Sequence, residues 1–342
     1  MPVQYEPFNT SQDVTTTKTL LHEVIPITGS IVSGTYSEGN IKNYSHGMFQ
    51  SVYDYPYLSS SANHIFDITV GYDESSGLSG SGTQNAKKIN LYNQYAQVLL
   101  GYTGTGSTVR RFESDDVLDD SSPMNEVFFI NFSRLITKDQ IKKGSFTLSL
   151  GTSSAYASPF ADDRLVLQDA LASDREGYTV AQGGEYGLLY SNSSGTGDVL
   201  GNIFYQAGIA VITASVFGSV VEMNSAGEDV DAVLTGSAIS GACDALRHRM
   251  FNLSFNNTTE INSKIYFCRV PHNKYNYSAN PTYLSGAEVR VKDGVATANP
   301  ISYITTIGLY SSTGELLATA KLSEPLRKDP TNELTLRVRL DY

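Results

Sequence analysis

The sequence predicts a mainly β (α+β) fold: antiparallel sheets or a sandwich, with about two α-helices. Three observations predict it. Tyr (22 residues), Gly (29), Ser, Thr and Asn dominate, Trp is absent, and only 17% of residues are charged; Tyr and Thr suit pleated surfaces, while Gly, Ser and Asn supply turns. Runs of alternating apolar and polar residues recur, clearest in 333–340 (ELTLRVRL). Helical spacing of apolar residues occurs in only two stretches, 84–100 and 231–250.

Residues 20–27 and 31–36 read as strands around a Gly29-Ser30 break. The aromatic run 49–57 is demoted as a central strand by Pro56, and 65–70 (IFDITV) is a better strand. Residues 75–83 read as a flexible loop. In the first helix Ile89, Tyr92, Ala96, Leu99 and Leu100 form one apolar stripe, with Gly101 as its stop. A strongly apolar strand is expected at 126–132, a single helical turn at 137–143 between Thr137 and Gly144, and a half-buried strand at 145–150. Residues 186–190 and 202–217 read as strands, the second broken at Ala207-Gly208 into a hairpin or bulge. The second helix carries Leu234, Ala238, Ala242, Leu246 and Met250 four apart, weakened by Gly236 and Gly241. Strands follow at 251–255, 264–270 and 287–291, then a hairpin of 303–310 and 315–322 about the turn 311–314. The expected organisation is a loop- and strand-rich N-terminal region, 1–82, and a mainly β domain, 83–342. That domain ends in a C-terminal hairpin module at about 264–342. No fixed-period repeat is visible, which argues against a solenoid or propeller.

The net charge of −11 repels phosphate backbones and anionic bilayers, so neither nucleic acid nor membrane is expected as a partner. Cys243 and Cys268, 25 residues apart, offer no disulfide framework or Cys-based zinc site and are expected as unpaired thiols. Residues 1–9 show no secretory signal, and the apolar stretch 208–221 is too short for a membrane helix. The expectation from these features is a soluble chain made in the cytoplasm, which leaves open its ending up outside a cell as part of a particle.

Chemistry is sparse. Asp115, Asp116, Asp119 and Asp120, in the acidic segment 113–122, read as a solvated loop; a surface Ca²⁺ site is the sharper reading, though the spacing fits no calcium loop. Glu228, Asp229 and Asp231 invite the same comparison. His22, His46, His64, His248 and His272 include no HxH or HExxH pair, and no Ser or Cys nucleophile signature occurs. The Arg247-His248-Arg249 run reads as a polar helix face or a charge complement at the helix C-terminus. Residues 101–106 (GYTGTG) follow a helix instead of opening one and read as a loop. Asn-x-Ser/Thr triplets at Asn43, Asn131 and Asn276 reflect composition. Tyr53, Tyr55 and Tyr57 alternate, so in an extended segment they would share a face, as core, subunit contact or glycan platform. No catalytic, cofactor-binding or metal-binding residue is assigned, and no cofactor is expected.

From Arg269 onward one word order is distinctive: Arg269-Val270, YNYSANPTY at 275–283, Asn299-Pro300, YITTIGLY at 303–310, ELLATAKL at 315–322, Pro325-Leu326-Arg327-Lys328 and RVRLDY at 337–342. This block, with 128–150 and 185–211, resembles a family of virion structural proteins of large contractile-tailed phages, notably those of cyanobacteria. The resemblance implies a non-enzymatic structural subunit of the tail or baseplate region, located in the virion. Its implied partners are other virion proteins and copies of itself. The alternatives are a receptor- or glycan-binding virion protein, with a host-surface glycan as partner, and a virion-associated glycan-degrading enzyme.

Overall fold

The computed structural model describes residues 5–23, 38–80, 84–104, 106, 108–132, 140–162, 164–173, 177–277, 284–285, 288–289 and 299–341. The strands expected at 24–27 and 31–36, and residues 133–139 and 278–283, lie outside these. In chain order the elements begin with β1 (Val14–Glu23), β2 (Ile41–Asn43), β3 (Gln50–Tyr53), β4 (His64–Tyr72) and helix α1 (Asn85–Leu99). There follow β5 (Glu126–Asn131), β6 (Gln140–Ile141), β7 (Thr147–Leu150), β8 (Leu165–Gln168), β9 (Tyr178–Ala181), β10 (Gly184–Tyr190), β11 (Val199–Phe204) and β12 (Ile209–Thr213). Helices α2 (Val230–Thr235) and α3 (Ile239–Arg249) precede β13 (Met250–Ser254) and β14 (Asn257–Val270). The chain ends with β15 (Leu284–Ser285), β16 (Glu288–Val289), β17 (Ser302–Tyr310), β18 (Leu316–Lys328) and β19 (Leu334–Asp341). This is the mainly β, antiparallel, sandwich-like fold that the composition predicts.

Two compact units divide the chain: unit 1 comprises Met1–Thr19 and Ile261–Tyr342, and unit 2 comprises Leu20–Glu260. Residues on either side of position 82 therefore share unit 2, and they share one sheet as well.

Unit 2 is built on eleven strands in the order β13-β7-β8-β10-β11-β12-β5-β4-β3-β2, with β9 on β10. Its centre is a ladder in which small residues are set among large ones. Val70, Phe128, Ile212, Gly201 and Leu189 stand in one row, and Ile68, Ile130, Ala210, Ile203 and Gly187 in the next row on that face. Four strands separate β5 from β7, a distance of ~24 Å in a flat sheet. Yet the rings of Phe132, just after β5, and Phe146, just before β7, lie 5.8 Å apart, and Phe255 beyond β13 lies 5.1 Å from Phe132. The sheet must curl over for its ends to meet, and one apolar core fills the concavity with α2, α3 and the turn Ala214–Phe217. The opposite face, with Val127, Phe129, Val211 and Phe204, is covered by α1 through Tyr92, Ala96 and Leu99. Gly71 makes that approach close: a Cβ there would lie 2.8 Å from the Lys88 carbonyl and 2.9 Å from the Tyr92 nitrogen.

Three elements differ from the sequence reading. The buried stripe of α1 includes Lys88 and Leu91, leaving Ile89 half-buried. The second helix is two helices: Asp229 caps α2 by accepting from the Ala232 N–H, and Gly236 stops it with an extended ψ of 159°. Gln140 and Ile141, expected in a helical turn, pair with Thr258 and Asn257 as strand β6. The break at Ala207-Gly208 is a hairpin between β11 and β12, with Gly208 at φ 65°.

Unit 1 pairs β14 with β19 from Ser263↔Asp341 to Val270↔Leu334, with β1 on the other side of β14. Beside this sheet stands the hairpin β17–β18, whose turn carries Gly314 at φ 86°. Among the described residues these two strands pair only with each other.

Candidate functional site

Four buried polar groups in unit 2 are the places to look for chemistry. Asp169, at 1% exposure, directly follows β8. Its Oδ2 accepts the Gly144 N–H at 2.7 Å and the Tyr205 O–H at 3.0 Å, and its Oδ1 accepts the Phe146 N–H at 2.9 Å. Burial pushes its pKa up to about 6 against these three donors. Lys143, next in chain to Gly144, pairs with Glu185 at 2.7 Å and lies over the Tyr178 ring at 4.7 Å. A carboxyl near pH 6 is in the range of a general acid, and two carboxylates are what glycoside cleavage uses. Here, however, each carboxyl is buried and engaged inside the fold, and neither concavity described below reaches them. Their evident work is to tie the turn before β7 to β8 and β10.

Arg249, fully buried at the end of α3, donates Nη1 to the carbonyls of Gly151 (3.0 Å) and Ser153 (2.8 Å) and Nη2 to that of Glu222 (2.8 Å). Burial lowers its pKa. It thus departs from the polar face expected of the 247–249 run, because the core of the curled sheet closes over it. Arg247 pairs with Asp244, and His248 stacks on Tyr156 at 4.1 Å, so those two do lie toward the surface. Lys88 is also fully buried and donates to the carbonyls of Leu234 and Gly236, satisfying the end of α2 where that helix stops. Burial holds its ammonium below the usual lysine range.

The acidic segment 113–122 closes on itself. Both oxygens of Glu113 accept the Asp120 N–H at 3.0 Å, Ser121 N–H reaches one of them at 3.2 Å, and Arg111 pairs with Asp120. Burial raises the Glu113 pKa. Among the described residues no three His, Cys, Asp or Glu side chains are grouped to hold a metal ion. Glu228 is engaged by Asn224 and Asp229 caps α2. His46 stacks on Tyr44, His64 lies 2.6 Å from Asp67, and His272 lies 2.9 Å from Glu333. Both thiols are free: Cys243 is buried with its Sγ on the Ile68 carbonyl, and Cys268 is half-buried. Tyr53 ends β3 half-buried while Tyr55 and Tyr57 are exposed beyond the Asp54 turn, so the three form no single strand face.

Two concavities stand out among the described residues. In unit 1 a groove of about 1030 Å³ runs between the segment that holds Tyr5 and Phe8, the end of β14 and the strand β17. Every residue of β17 lines it and none of β18 does, so it follows the edge of β17 that β18 leaves free. Tyr5 and Tyr310 meet across it at 4.9 Å, Tyr275, Tyr277 and Tyr303 add aromatic surface, and its charges are paired as Asp13–Arg269 and Glu6–Lys274. In unit 2 a shallower trough of about 510 Å³ lies between β9 and the acidic segment, where Tyr102, Val117 and Val180 are exposed apolar walls. Neither was visible in the sequence as a site: the groove joins residues more than 300 positions apart. Its one local signal was the uncharged alternation of 303–310. No protein-family model, no curated protein and no solved structure matches the chain.

Proposed function

We propose that this chain is a non-enzymatic structural subunit of a tailed-phage virion, in the tail or baseplate region, held by neighbouring subunits through its surfaces. One observation carries the reading. The hairpin β17–β18 is nine and thirteen residues long, pairs with no other strand among the described residues, and exposes Tyr303, Tyr310, Leu316 and Leu317. A two-stranded hairpin is marginal in water by itself, and a strand edge with bare N–H and C=O groups is a template for another chain. Such an element is best explained as one half of a contact. The order of words from Arg269 to the C-terminus, similar to virion structural proteins, supports the same reading, and the net charge of −11 disfavours nucleic acid and membrane as partners. An enzymatic reading needs two carboxylates facing across an opening, and the buried carboxyls Asp169 and Glu185 are each engaged inside the fold.

Cryo-electron microscopy of the particle tests the proposal: density for this chain in repeated copies is expected in the tail or baseplate. Its absence from purified particles would reject the reading. So would turnover of a cell-wall or polysaccharide substrate that a single Asp, Glu or His substitution abolishes. The tyrosine-lined groove favours a second reading, receptor or glycan binding, since Tyr offers rigid amphipathic contact at low entropic cost; reproducible hits on a glycan array, lost in Tyr303→Ala, would move it to first place.

A further inference from the structure

We propose that copies of this chain associate head to tail, the free edge of β17 in one copy pairing with strand β9 beside the acidic segment of the next. This rests on the structural-subunit reading and names its partner as a second copy. Three observations lead to it.

The first is that the two edges of the hairpin differ. On β18, four residues, 322–325, stand against the single Thr305, and this bulge contains Glu324 and Pro325. Bulges, charges and prolines are the devices that keep an edge strand from pairing. β17 (SYITTIGLY) has no charge and no proline, and its open edge lines the groove. One edge is guarded and the other is not.

The second is that charge is divided between the units. Unit 1 holds eleven Lys and Arg against nine Asp and Glu, a net of +2, while unit 2 holds thirteen against twenty-six, a net of −13. Two copies that present like units repel or gain nothing; a copy that presents unit 1 to the unit 2 of another gains attraction.

The third is that unit 2 offers a matching edge. β9 pairs only with β10 among the described residues, Val180 on it is 68% exposed, and Val117 beside it is 54% exposed. Strand pairing supplies the main-chain hydrogen bonds, and the apolar side chains on either rim supply the burial. The contact joins two different surfaces, so it closes into a ring or continues as a filament.

Sedimentation velocity on the full chain, over a concentration series at low and high salt, tests this with two variants. Thr305→Asp places a charge on the β17 edge, and Val180→Asp places one on β9; both positions are exposed, and far-ultraviolet circular dichroism verifies that each variant keeps its fold. The parent is expected to form species that grow with concentration and weaken with salt, each variant to lose roughly tenfold or more in association, and an equal mixture of the two variants to stop at dimers, since one good contact remains between them. A parent that stays monomeric throughout, variants that assemble like the parent, or a mixture that stays monomeric would overturn the head-to-tail contact. Those results leave the structural reading standing if the chain is found in particles; absence from particles rejects that reading by itself.

Discussion

Unit 2 and unit 1 are made of the same kinds of strand, yet they use them oppositely. Both apolar clusters belong to unit 2, where a curled sheet, three helices and buried Arg249, Lys88 and Asp169 are closed off from water. In unit 1 only Ile265, Val270, Leu309 and Val338 are buried apolar residues among those described. Lys328, buried there too, is held by the His272 and Asp329 carbonyls and the Asn276 side chain rather than by a core. The difference teaches that, among the described residues, the packed core lies in one unit and the exposed strand edges stand out in the other. With so few buried apolar side chains among its described residues, unit 1 gains less from its own packing than unit 2 does.

That contrast can be broken, or sharpened, by substitution. The largest effect is expected from Arg249→Ala, which strands three carbonyls inside unit 2: about 3–5 kcal/mol of unfolding free energy should be lost, read as a lower urea midpoint at unchanged slope. Asp169→Asn places an amide donor against at least one of the Gly144, Phe146 and Tyr205 donors and should cost about 2 kcal/mol. It also isolates a pH effect. Because burial raises the folded-state pKa to about 6, the folded chain holds this proton more tightly than the unfolded one, whose pKa is about 4. The associated stability is present below about pH 4 and is lost as pH rises to about 6, by about 3 kcal/mol at most. The parent-minus-variant difference in unfolding free energy should decline over that window and level above it; an increase with pH would mean the three donors, not burial, dominate. Gly71→Ala pushes α1 off β4 and should cost about 1–3 kcal/mol by the same denaturation assay. Smallest of all, Leu317→Ser, at 69% exposure on β18, should leave unfolding within about 0.5 kcal/mol of the parent; a larger loss would mean the hairpin is packed in the isolated chain.

The fold was legible where pattern is local. The alternation of 333–340 became β19, the hairpin about 311–314 formed as read, and Gly236, already a weak point for a helix, is where the second helix stops. What stayed hidden depends on distant neighbours. Nothing local marks Lys88 as a buried residue, since its partners are carbonyls nearly 150 positions away. Arg249 reads as surface until the curl of the sheet is known. Gln140 and Ile141 lack strand signals because their pairing is dictated by residues 257 and 258. The groove was least legible, for its walls come from both ends of the chain.

Pro325 and the four-residue bulge around it have a consequence for how far strand pairing can run. A ribbon sticky along both margins would recruit neighbours laterally and thicken without limit, the route to insoluble fibres. With one margin blunted, the hairpin can accept a strand on a single flank, so any pairing it makes adds one neighbour and does not spread sideways.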